Sequence, residues 1–181
     1  INIELVYEKE LTIKYEIDKE SGHLKVDRPQ KFSNIIPALY GFVPRTYCDE
    51  RVKELAVKRG ASDITEGDHD PLDICVLSSH NVPVGGILLE AVPIGGFKMI
   101  DKGEADDKIV AVLVGDQSYG HIKDISELPK AEVDRLMHYF LTYKNLPGEP
   151  VACRIDEVYD AKHAKEVIKA SQEDYQEKYK N

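Results

Sequence analysis

Apolar and polar residues alternate along the first part of this chain. Ile3 and Leu5, then Leu11, Ile13, Tyr15 and Ile17, occupy alternate positions, the period of a β-strand with one face turned to a core. Ser21-Gly22 supplies a turn, and Leu24 to Arg28 alternates again until Pro29 stops it, which predicts a hairpin with the preceding strand. On that hairpin Lys14 and Glu16 point to one side while Ile13, Tyr15 and Ile17 point to the other. Residues 48–67 are charged and read as a long excursion between strands, with a short helix over Val52 to Lys58 and a break at Gly60.

Apolar runs recur at Leu72 to Leu77, Gly86 to Ile94, Ile109 to Val114 and Val151 to Val158, so roughly seven short strands are expected in all. From Pro129 the period changes. Val133, Leu136, Met137, Phe140 and Leu141 form one helical stripe that ends before Pro147-Gly148, and a second helix is predicted from Asp160 to the end. There is no internal repeat. Strands first and helices late, in 181 residues, leave too little chain for two sandwiched sheets. The prediction is a single domain, mainly β with α, built as a small closed barrel flanked by C-terminal helices.

Composition narrows the function. A formal charge of −9 argues against nucleic-acid binding as the main activity, because a phosphate backbone calls for a basic face. Cys48, Cys75 and Cys153 are odd in number and lack CxxC spacing, which points to a reducing compartment rather than a disulfide framework or a thiolate zinc site. The histidines show no HExxH pattern. No apolar run approaches the ~20 residues of a membrane span, and no signal-peptide pattern is visible, so a cytoplasmic location is expected. The sequence starts at Ile1, without methionine and inside a strand-like segment, which suggests that an upstream segment is missing.

Acidic residues carry the candidate chemistry. Asp68, Asp70 and Asp73 run straight into the apolar segment Ile74-Cys75-Val76-Leu77, and Asp101, Glu104, Asp106 and Asp107 precede Ile109 to Val114. Either cluster alone is the composition of a solvated turn. Together, at the mouths of two buried elements, they suggest a site for hard cations, since carboxylates ~4 Å apart repel by roughly 4 kcal/mol at an effective dielectric of ~20. An EF-hand fails, because counting from Asp68 puts Leu72 at position 5, Asp73 at 6 and Ser79 at 12. An aspartyl-phosphate enzyme would want a buried strand before its first Asp, and Ile64-Thr65-Glu66-Gly67 is polar and broken. Pro71 biases Asp70 toward extended backbone, so Asp68 and Asp70 project to one side. Oxygen ligands without His or Cys select Mg²⁺ or Mn²⁺, and Mg²⁺ sites commonly include substrate phosphate oxygens.

The segment Asp68-His69-Asp70-Pro71-Leu72-Asp73 resembles the D-x-D-P-x-D signature of the soluble family I inorganic pyrophosphatases. The resemblance runs along nearly the whole chain. Lys14-Tyr15-Glu16-Ile17-Asp18 is similar to the family's K-Y-E-x-D strand, Val26-Asp27-Arg28 to its V-D-R, and Tyr40-Gly41 to its Y-G. Lys98-Met99-Ile100-Asp101 with Asp106 and Lys108, then His121-Ile122-Lys123-Asp124 and Tyr143-Lys144, complete the series. The resemblance implies a five-stranded OB-like β-barrel with helices, hydrolysis of pyrophosphate to two phosphates, and several Mg²⁺ ions, with Mn²⁺ or Zn²⁺ as substitutes.

It also implies roles. Asp68, Asp73 and Asp106 would hold the main metal, Asp70 would help hold a second and act as general base, and Asp101 and Glu16 would serve ions that arrive with substrate. Lys14, Arg28, Tyr40, Lys108, Tyr143 and Lys144 would bind phosphate oxygens. Without the resemblance, a strand Lys is ordinarily a solvated face and Tyr143-Lys144 an ordinary helix end. Departures exist as well: His69 replaces a small or short polar residue and reads as a tolerated surface substitution, and Ile36 stands where compact bacterial members often carry Tyr. The excursion from Tyr47 to Gly67 is longer than in those compact members, so the expected homo-oligomer is left open between hexamer and dimer. The rival readings are a non-catalytic OB-type binding module and an inactive relative serving as a scaffold.

Overall fold

The computed structural model describes residues 1–7, 13–18, 20–146, 148–151 and 153–180; Leu11 of the first alternating run and Pro147 at the predicted helix end lie outside them. Among these residues there are ten strands: β1 (Asn2–Tyr7), β2 (Ile13–Ile17), β3 (Leu24–Pro29), β4 (Leu39–Phe42), β5 (Glu66–Gly67), β6 (Asp73–Leu77), β7 (Leu88–Asp101), β8 (Glu104–Ala105), β9 (Lys108–Leu113) and β10 (Cys153–Asp160). Three α-helices, α1 (Glu50–Lys58), α2 (Lys130–Thr142) and α3 (Ala161–Lys178), pack around them. Strands β1, β4, β6, β9 and β7 are successive neighbours, and β7 also pairs with β1 through Leu88–Glu90, so five strands close into a ring. This is the expected mainly β, OB-like architecture, flanked by the two C-terminal helices and by α1.

The longest strand explains the closure. Over its 14 residues β7 pairs with β1 at its start, with β9 from Ala91 to Phe97, and with β10 from Gly95 to Asp101. It bends at a bulge between Pro93 and Gly95. Two glycines allow the close passage of β10 there. A Cβ at Gly95 would lie 2.5 Å from the Tyr159 carbonyl oxygen, and one at Gly96 would lie 2.5 Å from the Tyr159 ring. The expected strand stopped at Ile94 because Gly95-Gly96 reads as a break, whereas the structure carries it on to Asp101.

Strand β6 reads as a continuous apolar run because it lies between β4 and β9 and both its faces are covered. Its pairing with β9 is parallel, as is that of β5 with β8, in a mostly antiparallel sheet. That register puts Asp73 opposite Lys108. The predicted hairpin forms from β2 and β3 as a separate two-stranded sheet. A bulge leaves Asp27 of β3 as an extra residue opposite the Lys14–Tyr15 step, and Lys14, Tyr15 and Glu16 all contribute to the lining of one cavity. Helix α2 buries Leu136, Tyr139 and Phe140, with Tyr139 taking a place on the stripe that Leu141 was expected to hold. At the start of α3 the Asp160 carboxylate accepts from the His163 backbone N–H at 2.8 Å. Among the described residues no helix is long and apolar enough to cross a membrane.

Candidate active site

A cavity of about 760 Å³ opens where β2, β4, β6, β9 and the end of α2 converge. It is lined by Asp68, Asp70, Asp73, Asp101, Asp106, Glu16, Lys14, Tyr40, Lys108, Tyr143 and Lys144. These are all the residues given a role from sequence except Arg28, whose guanidinium lies 3.7 Å from Asp27 and outside the lining, and Asp107 of the second acidic cluster is instead buried, accepting from the Tyr159 hydroxyl at 3.1 Å.

Local structure fixes each contribution. Asp73 opens β6 and Lys108 opens β9, so the parallel register brings carboxylate and ammonium together at 2.5 Å. The same ammonium donates to Asp106, two residues before it. Lys108 is 2 % exposed, and burial alone would pull its pKa down. The charges of Asp106 and Asp73 outweigh that and hold it well above the ordinary lysine value. Asp101 closes β7 and accepts from Lys144 just past α2. Burial alone would lower the Lys144 pKa, but the neighbouring Tyr143 and the hydrogen bond and charge of Asp101 overcome it and hold it above the usual value. On the hairpin, Lys14 lies 3.1 Å from Asp27 and Glu16 lies 3.2 Å from Lys25.

The Asp68 carboxyl is pushed up to about 9, first by burial and then by repulsion from Asp106, with which it shares a hydrogen bond. Burial, then the charge of Asp73, holds the Tyr40 phenol well above its ordinary value, so it stays a proton donor at neutral pH. Asp101 Oδ1 is buried and has no hydrogen-bond partner. Among the described residues no group of three acidic, His or Cys side chains is drawn together as a closed cage. Lysines stand among the carboxylates instead.

That arrangement fits hard divalent cations. The donors are all oxygen, burial and the charge of Asp106 push the Asp68 carboxyl up, and the buried Asp101 Oδ1 lacks a partner, each of which marks missing positive charge. Sequence reasoning missed the aromatic part of the lining. Tyr139 stacks on Tyr143 with ring centroids 5.0 Å apart and accepts from Gln30 at 3.0 Å, and its four-residue spacing to Tyr143 was the available signal. Tyr47, Tyr175 and Tyr179 also reach the cavity from distant segments. His69 is not a bare surface residue: its Nε2 lies 3.0 Å from Glu66 and its ring packs 5.8 Å from that of Tyr47.

Residues 3–176 match the family model described as inorganic pyrophosphatase. The chain belongs to the inorganic pyrophosphatase family. It is 50% identical over 169 residues to an inorganic pyrophosphatase of Chlamydia muridarum, covering 91% of this chain and 81% of that protein. It is 38% identical over 174 residues to a soluble inorganic pyrophosphatase of Zea mays, covering 96% of this chain and 72% of that one. Its structure is similar to that of an inorganic pyrophosphatase from Coxiella burnetii, with a TM-score of 0.79, 30% identity, and 97% and 94% of the two chains covered.

Proposed function

We propose that this chain, acting as one domain, hydrolyses inorganic pyrophosphate to two phosphates with Mg²⁺ as the metal. The observation that carries the reading is the single cavity in which carboxylates of β2, β6, β7 and the turns before β6 and β9 meet ammonium and phenol groups of β2, β4, β9 and the end of α2. Asp68, Asp73 and Asp106 would hold the main ion, Asp70 would contribute to a second, and Asp101 and Glu16 would take those arriving with substrate. When bound, Mg²⁺ neutralises phosphate charge and makes a water easier to deprotonate.

The chain's own groups supply the rest. Lys108, kept charged by its carboxylate neighbours, and Lys14 and Lys144 present ammonium groups to phosphate oxygens. Tyr40 and Tyr143 donate hydroxyls to the same oxygens. Arg28 joins them only by swinging from Asp27 toward the cavity. Asp70, at the exposed rim, takes the proton of the attacking water. Positioning and charge neutralisation by such groups is the main requirement of phosphoryl transfer.

The chain is further proposed to act in the cytoplasm as a homo-oligomer, hexamer or dimer, with pyrophosphate rather than nucleic acid or membrane as its partner, and with Mn²⁺ or Zn²⁺ able to replace Mg²⁺. The test is phosphate release from pyrophosphate in millimolar Mg²⁺, in chelator, and with ATP as competing substrate. Fast, Mg²⁺-dependent, pyrophosphate-selective release is expected, and Asp70→Asn is expected to lower turnover by about 10² or more while unfolding stays cooperative. No release at any Mg²⁺ concentration would favour the scaffold, and near-normal turnover of Asp70→Asn would remove it from the base role.

A further inference from the structure

The turn that carries Asp68 and Asp70 is held in place by a distant segment. Cys48 N–H donates to the Asp70 carbonyl and His69 N–H to the Cys48 carbonyl, both at 3.0 Å. On the far side of Pro71, the Thr46 hydroxyl accepts from Leu72 N–H at 2.9 Å and donates to the Val43 carbonyl at 2.5 Å, while Val43 N–H donates to the Leu72 carbonyl at 2.9 Å. Residues 43–48 therefore grip 69–72 at both ends of the Asp70-Pro71 step. The grip is close at its edge: a Cβ on Gly67 would lie 2.4 Å from the Cys48 carbonyl oxygen and 2.9 Å from Asp49 Cα.

The clasp is in turn tied to α3. Tyr47 N–H donates to the Ser171 carbonyl at 3.0 Å. The carboxylate of Asp174, 4 % exposed, accepts from the backbone N–H groups of Asp49, Arg51 and Val52 at 3.1, 3.1 and 3.2 Å. Helix α1 receives no side-chain bond from its own N-cap, Asp49, so its first-turn amides are satisfied by a residue from the far end of the chain. Among these groups, Thr46 of the clasp bonds directly to the carboxylate turn, and Asp174 of α3 bonds to the segment that follows the clasp. His69, at φ +59°, sits in the left-handed region, a conformation that needs surrounding bonds to persist.

We infer that Thr46 and Asp174 are positioning residues of the hydrolytic site, setting the Asp68–Asp70 turn against Asp73 through backbone hydrogen bonds: the Thr46 hydroxyl, at the wall of the cavity, is committed to Leu72 and Val43, and Asp174 to Asp49, Arg51 and Val52. The inference rests on the proposed hydrolysis for its kinetic readout only. Thr46→Val keeps the shape and removes the hydroxyl, leaving Leu72 N–H and the Val43 carbonyl unbonded, whereas Thr46→Ser keeps the hydroxyl.

The experiment compares wild type, Thr46→Val, Thr46→Ser and Asp174→Asn by turnover, pyrophosphate KM, Mn²⁺ affinity without pyrophosphate, and amide exchange at Leu72. Thr46→Val is expected to lower turnover and weaken Mn²⁺ binding about tenfold each, the usual size for a group that orients ligands. KM should move less than about twofold, because the ammonium groups of Lys14, Lys108 and Lys144 stand outside the clasp, and Leu72 should exchange faster. Thr46→Ser should restore every quantity. A Thr46→Val protein that is less stable but has turnover and Mn²⁺ affinity within about twofold of wild type overturns the inference, since the clasp would then serve folding alone. A serine variant as impaired as the valine one overturns it too. If Thr46→Val does not fold, Asp174→Asn decides, with the same losses expected and unchanged turnover and Mn²⁺ affinity against the inference. If wild type releases no phosphate, the hydrolase reading fails, while Mn²⁺ affinity and Leu72 exchange still decide the clasp.

Discussion

Asp116→Asn tests how the far side of the ring is held. Asp116 follows β9 and is 7 % exposed, and its carboxylate collects five hydrogen bonds. Oδ1 accepts from Ser118 N–H at 2.8 Å and Tyr119 N–H at 2.9 Å. Oδ2 accepts from Ser79 N–H at 2.7 Å and from the hydroxyls of Ser78 and Ser79 at 2.9 and 3.0 Å. The end of β6 and the turn after β9 are thereby joined through one side chain. An asparagine offers one oxygen. Its best orientation turns that oxygen to the two fixed amides and its NH₂ toward the hydroxyls, which rotate to accept, but Ser79 N–H then faces a donor. One buried amide left unbonded costs about 1–3 kcal/mol, and the remaining bonds lose their ionic assistance, so the loss is roughly 2–4 kcal/mol.

The pH dependence follows from the same bonds. Burial alone would raise the Asp116 pKa, but bonds from Ser79, Tyr119 and Ser78 overcome it and hold the carboxyl well below its usual range. A folded pKa below the unfolded one contributes stability that is complete above the unfolded value, near 3.9, and is lost as pH falls through the folded value. Urea unfolding followed by tyrosine emission, available because the chain has no Trp, should show the same wild-type advantage at about pH 5 and pH 8 and a shrinking one below about pH 4. A difference below about 0.5 kcal/mol, or one that grows as pH falls, would refute the reasoning.

Three further outcomes are expected. Lys108→Met, measured in chelator, should lose about 3–5 kcal/mol because Asp73 and Asp106 keep their charge without a partner, and Mg²⁺ should restore part of it by binding the folded state; equal loss with and without Mg²⁺ would reject a shared cation site. Asp73→Ala should raise the Mg²⁺ needed for half-maximal turnover by about tenfold or more, and an unchanged requirement would take Asp73 out of the main metal site. Gly96→Ala places a Cβ 2.5 Å from the buried Tyr159 ring, so its urea midpoint should fall by the equivalent of about 1–3 kcal/mol, and an unmoved midpoint would show that β7 and β10 have room to separate.

Much of the site was legible before any coordinates. Asp68-His69-Asp70-Pro71-Leu72-Asp73 carries its chemistry in a short span, because neighbouring carboxylates need cations wherever the chain folds. The strand runs at β6, β9 and β10 were visible from apolar periodicity, which depends only on which faces are buried. The reach of β7 to Asp101 was not, since Gly95-Gly96 carries the signal of a turn and becomes a bend only where Tyr159 passes over it. The extra residue that Asp27 inserts into β3 was not visible either, because a bulge is decided by how two strands pair.

Residue type and local period therefore determined the class of fold and the oxygen-only donor set, while the basic and phenolic partners followed only from the family resemblance. Only the tertiary structure decided that Lys108 stands between Asp73 and Asp106, that Arg28 stays with Asp27, and that Thr46 and Asp174 hold the Asp70 turn. Those relations depend on strand register and on contacts between residues far apart in sequence. A single threonine or aspartate carries no mark of them, because a hydrogen bond is defined by where the partner's atoms arrive and not by the residue that waits for them.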